Sequence, residues 1–92
     1  MNAAKSDDGS TPIMLAAYSG HRDIVHLLLG KGASVNDLDL SGFTPLMCAC
    51  GEGHLSTVQL LLASGANKEL LNNAGETALA LASSQEIKDV LM

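Results

Sequence analysis

Gly42-Phe43-Thr44-Pro45-Leu46-Met47-Cys48-Ala49-Cys50-Gly51-Glu52-Gly53-His54 decides the fold, because much of it already stands 33 residues earlier. There Gly9-Ser10-Thr11-Pro12-Ile13-Met14 runs on into Leu15-Ala16-Ala17-Tyr18-Ser19-Gly20-His21. A third, altered copy begins at Gly75-Glu76-Thr77-Ala78-Leu79-Ala80. The same step carries Leu27-Leu28-Leu29 to Leu60-Leu61-Leu62, and Gly32-Ala33 to Gly65-Ala66. A fixed period in this range is the mark of a stacked-repeat array. Such arrays seldom do chemistry; they present surface.

Each copy carries its own start and stop signals. A glycine (Gly9, Gly42, Gly75) sits where a tight turn needs positive φ. Two residues on, threonine offers a hydroxyl as N-cap. In the first two copies proline follows at the first helical position, where its missing N–H costs nothing. The spacing predicts a short helix from about Pro12 to Ser19 and again from Pro45 to Gly51, stopped by Gly20 and Gly53. A second helix is predicted over Arg22 to Gly30 and Leu55 to Ala63. Ile24, Val25, Leu28 and Val58, Leu61, Leu62 lie there at helical spacing. Gly32 and Gly65 end these helices, and extended connections over 34–41 and 67–74 lead to the next turn. Helices this short do not stand alone. Ordering one unit costs on the order of 50 kcal/mol at roughly 1.5 kcal/mol per residue, so stacking is required for folding.

This order of turn, Thr-Pro-Leu helix, Gly-His, Leu-Leu-Leu helix and Gly-Ala connection resembles the ankyrin repeat, over about Asp7 to Leu91. The resemblance implies an all-α solenoid of stacked helix–turn–helix units joined by extended turn or hairpin loops. The divisions are a lead-in over 1–6, repeats over 7–39 and 40–72, and a shortened C-terminal capping repeat over 73–92. One departure recurs. Met14, Met47 and Ala80 replace the family's histidine in the Thr-Pro-Leu-His tetrad, which exchanges a buried hydrogen-bonding link for a more flexible filler. The third copy also skips the Gly-His turn. Its last helix is expected at Glu86 to Leu91, with Ile87 in the place of Val58 and Val90 and Leu91 in those of Leu61 and Leu62. The first copy reads as an interior repeat. The expectation is that the array continued upstream in a longer parent, or that its first face is covered by a partner or by self-association.

Composition narrows the partner. The chain has 92 residues, is 47% hydrophobic, and holds one Tyr, one Phe and no Trp, so its core is aliphatic. A net charge of -5 argues against the nucleic-acid phosphate backbone and against an anionic membrane, and it favours a protein partner of basic character. No apolar run approaches the length of a membrane span, and Met1 to Ser6 contain no stretch like that of a signal peptide. Cys48 and Cys50 fall roughly 200° apart around a helix, which disfavours a disulfide between them. Free thiols without an export signal point to an intracellular setting, cytoplasmic or nuclear.

The resemblance also implies where binding occurs: the turn tips and the exposed side of the first helices. By register these are Asp7, Asp8, Ser10, Tyr18 and Ser19 in the first copy, and Leu40, Ser41, Phe43, Gly51 and Glu52 in the second. In the third they are Asn73, Ala74, Glu76 and Ser84. Both aromatics of the chain are in this set, and its charged members are all acidic. Aromatics anchor interfaces at small entropic cost, and an acidic rim steers a basic ligand. The implied function is a non-catalytic adaptor or scaffold module with a preformed concave acidic surface. The competing reading is a regulatory or inhibitory module acting on an enzyme in cis or in trans. Asn36, eight residues after Leu28, stands where other ankyrin repeats are substrates of asparagine hydroxylation.

Chemical readings are weaker. His21 with Asp23 and His54 with Ser56 lack the third oriented group of a triad, and both histidines belong to the repeat's own turn. Gly30-Lys31-Gly32-Ala33-Ser34 ends a helix and lacks phosphate-loop spacing. Cys48, Cys50 and His54 do not converge on a tetrahedron. No catalytic residue, cofactor or metal is expected.

Overall fold

The computed structural model describes residues 9–92. Among them are six helices and no strand: α1 (Pro12–Tyr18), α2 (Arg22–Gly30), α3 (Pro45–Gly51), α4 (Leu55–Ala63), α5 (Ala78–Leu81) and α6 (Gln85–Leu91). Consecutive pairs pack against each other. The pairs then stack, α1 on α3 on α5 in one layer and α2 on α4 on α6 in the other.

Local signals set the helix ends. Thr11, Thr44 and Thr77 all take the extended backbone of an N-cap. The Thr44 hydroxyl accepts from Met47 N at 3.1 Å, and the Thr77 hydroxyl from Ala80 N at 3.3 Å. Thr11 departs from the expectation: it makes no such bond, and its buried hydroxyl has no partner. At the other end of α1, Gly20 N donates to Ala17 O at 3.2 Å and His21 N to Ala16 O at 2.9 Å. This paired closure needs a left-handed residue, which Gly20 supplies with φ 73°. The same two bonds close α2, α3 and α4.

The third unit replaces the missing turn with Ser83. Its N–H and hydroxyl both donate to Cys50 O, at 3.2 and 3.3 Å. Ser84 then caps α6, accepting from Ile87 N at 3.3 Å. Lys68 Nζ donates to Leu91 O at 2.7 Å, tying the end of α6 back to the second connection.

The core is aliphatic and lies between the layers, with Ile13, Val25, Leu46, Met47, Val58, Leu61, Ile87 and Leu91 buried. Burial is not uniform among residues in equivalent positions. Leu61 is fully buried, Leu28 only half-buried, and Val90 is 36% exposed. Ile24, expected on the apolar stripe of α2, is 47% exposed, while Thr57 one repeat later is 0% exposed. Only the middle unit has a neighbour on each side among the described residues. The periodic pattern names the stripe, and stacking decides which of its members lose water.

Turn tips stack as closely as helices. Asn73 N donates to Ser41 O at 2.9 Å, and Asn73 Nδ2 donates to Leu40 O at 2.8 Å. Gly42 allows this approach: at φ 80° it lies so close that a Cβ would sit 2.7 Å from Asn73 Oδ1.

Candidate functional site

The crevice between α1 and α3 opens as a cavity of about 390 Å³. Proline at the first position and glycine at the end make both helices short and parallel in register. Equivalent residues of the two helices therefore lie side by side along the gap. Met14 and Met47 form its base, both buried. Leu15 and Cys48, one repeat apart, line it above them, and Leu15 is 54% exposed. Phe43 stands at the end nearest the turn tips and Tyr18 at the C-terminal end of the helices.

The sequence-derived site residues divide in this geometry. Ser10, Tyr18, Ser41, Phe43, Gly51 and Glu52 all line the cavity. Tyr18 is 54% exposed, Phe43 half-buried, and Ser10 is buried at its edge. Across Phe43 lies a second cavity of about 340 Å³, where Ser41 and Phe43 meet Asn73 and Ala74. Ser19, Leu40, Glu76 and Ser84 line neither, although Leu40 is exposed on its turn. Glu76 Oε1 accepts from Asn72 Nδ2 at 3.1 Å, and Ser84 is occupied as a cap. Asp7 and Asp8 lie outside the described residues. Asn36 lies apart from the cavities, and its Oδ1 accepts from Asn67 N at 2.8 Å, joining successive connections.

Asp39 lines the cavity and was absent from the sequence-derived set. Its Oδ1 accepts from Ser41 N and Phe43 N, both at 2.9 Å, which folds the turn and fixes the backbone of Phe43. Asn72 Oδ1 does the same one repeat later, accepting from Ala74 N at 2.9 Å and Glu76 N at 3.0 Å. The structural task thus needs an oxygen, not a charge. Asp39 brings a charge to the cavity that Asn72 does not bring to its own turn. Leu15 was also missed. An apolar residue beside Ile13, Met14, Ala16 and Ala17 reads as core, and only the stacking shows that this helix has an open side.

Tyr18 is held from behind. His54 Nε2 donates to Tyr18 O at 2.9 Å, so the ring that opens α4 secures the last turn of α1. A Cβ on Gly20 would lie 2.5 Å from His54 Nδ1, so glycine there makes room for the ring. Neither Cys48 nor Cys50 forms a disulfide. The Cys50 thiol is pushed up to about 12, first by burial and then by Cys48 beside it, and it stays protonated as core filler. Among the described residues no group of three metal-ligating side chains lies together, and no helix is long and apolar enough to cross a membrane.

A family model described as ankyrin repeats in three copies matches residues 13–92. The chain belongs to the ankyrin repeat family. It is also similar to the human ankyrin repeat and SAM domain-containing protein 3, with 59% identity over 32 residues. That stretch is 35% of this chain and spans 5% of the human protein's length. Ankyrin repeats are in general protein–protein interaction modules and typically do no chemistry. The cavity between α1 and α3 therefore lies in a fold whose common use is to bind other proteins.

Proposed function

We propose that this ankyrin array is a non-catalytic adaptor or scaffold module that docks a protein partner of basic character in the crevice between α1 and α3. The observation that carries this reading is the meeting of Tyr18 and Phe43, 25 residues apart in sequence, on one apolar cavity. Around it stand Asp39 and Glu52, and among the described residues no lysine or arginine lines it. Its base is built from buried methionines on packed helices, so little ordering is needed on binding. Cysteines outside any disulfide suit an intracellular setting.

The test is capture of partners from cell extract by the wild-type chain beside the Tyr18→Ala/Phe43→Ala double variant, with helicity checked by circular dichroism. Partners held by the wild type and lost by the variant support the docking face. Equal retention by both chains rules it out. Raising salt should weaken capture, because exposed charges are screened over about 8 Å at physiological ionic strength.

A further inference from the structure

The cavity between α1 and α3 has a length, a polarity and two charged ends, and together these describe its occupant. Adjacent packed helices lie about 8–10 Å apart axis to axis. A helical ligand, about 10–12 Å across with its side chains, would rest across the top of such a crevice. An extended chain is narrower, lies along the crevice, and turns every second side chain inward. One such side chain would meet Leu15, Met47 and Cys48 midway between the aromatic ends.

Both ends carry an acid. Asp39 lies at the Phe43 end, held there by the bond from Phe43 N at 2.9 Å. Glu52 is exposed just beyond the last residue of α3 at the other end. From Thr44 to Glu52 the chain rises about 12 Å at 1.5 Å per residue. Four steps of an extended ligand cover about 13 Å at 3.3 Å each, and its residues i, i+2 and i+4 share one face. The two spans agree.

We infer that the crevice binds an extended protein segment in which a bulky aliphatic residue is flanked, two positions away on each side, by lysine or arginine. The aliphatic side chain fills the cavity between Tyr18 and Phe43. One basic side chain pairs with Asp39 and the other with Glu52. The inference rests on the reading of this crevice as the docking face.

The experiment probes arrays of immobilised degenerate decapeptides with the intact chain, then titrates the best sequence as a fluorescent peptide by anisotropy at low salt. Three variants accompany the wild type: Asp39→Asn, Glu52→Gln and Tyr18→Ala. Asp39→Asn keeps the turn, since Asn72 folds the same turn without charge. The expected result is enrichment of the basic–x–aliphatic–x–basic pattern on the wild type. Asp39→Asn and Glu52→Gln should each erase the preference at one basic position and weaken the peptide about tenfold. Tyr18→Ala should weaken it at least as much. Enrichment of a different pattern that Tyr18→Ala still abolishes overturns the inferred segment and leaves the docking face standing. Enriched peptides that bind Tyr18→Ala as tightly as wild type overturn both. An array without enrichment overturns the inference of a linear segment.

Discussion

Thr57→Val should make this protein more stable. Thr57 lies on α4, is 0% exposed, and its hydroxyl has no hydrogen-bond partner. The equivalent residue one repeat earlier is the apolar Ile24, there 47% exposed, so the register itself does not call for a hydroxyl. Leaving a buried polar group unsatisfied costs about 1–3 kcal/mol. Valine replaces the hydroxyl by a methyl of similar shape, and the two residues have nearly equal helix propensity. The expected gain is about 1–2 kcal/mol, at the lower end of the range because the packing must accept a slightly larger group. For a domain of this size each kcal/mol raises Tm by about 4–8 °C. Urea unfolding followed by circular dichroism should show a higher midpoint with an unchanged slope, since the surface exposed on unfolding is the same. Thr57→Ala, which leaves a void instead, should lower the midpoint. If Thr57→Val unfolds at or below the wild-type midpoint with the same slope, the hydroxyl has a partner in solution and the reasoning fails. Because Thr57 is absent from the α1–α3 cavity, the stabilised variant should bind ligand as the wild type does.

Four further outcomes rest on the same structure. Gly42→Ala should cost about 2 kcal/mol or more, from the left-handed backbone and from collision with Asn73. Gly75→Ala, with φ 77° and nothing within 4 Å of its added Cβ, should cost only the backbone part, and equal losses in urea melts would refute the close approach of the turns. His54→Ala should lose about 1 kcal/mol with its bond to Tyr18 O, and it should rescue Gly20→Ala, whose Cβ meets the His54 ring. Additive losses in that double-mutant cycle would show that the ring and Gly20 are not in contact. Cys50 should add an alkaline limit to stability, because its folded value near 12 lies above the ordinary 9.0. The protonated thiol favours the folded state fully below pH 9. That contribution declines as pH rises from 9 toward 12, by up to about 1.4 kcal/mol per pH unit. Cys50→Ala should remove this part of the alkaline decline. A thiol reagent at pH 8 should label Cys48 in the native chain and reach Cys50 only after unfolding.

Much of the fold was legible because its signals are local. Thr44-Pro45 begins α3, and Gly53 and His54 close it with one backbone hydrogen bond each, made within one turn. Such rules act on neighbours in sequence, so the bounds Arg22–Gly30 and Leu55–Ala63 could be placed from the residues alone. The third unit was legible in part. The deletion of its Gly-His turn is visible in sequence, but not that Ser83 binds Cys50 O in its stead, across 33 residues. The site was legible in its aromatics and only dimly in its extent. Ser84 and Glu76 have the right register, yet they are committed to a cap and a turn. Leu15 and Asp39 looked like core and turn until the stacking placed them on the cavity.

The chain by itself determined the period, the helix ends and the turn chemistry, since each depends on contacts within a few residues. Only the tertiary structure decided which members of each apolar stripe are buried. It also decided that Tyr18 and Phe43 share a cavity and that Asp39 brings charge to it. The physical reason is that repeats are alike in sequence but not in surroundings. Burial and electrostatics come from neighbouring units, and a unit's own residues do not say what stands beside it.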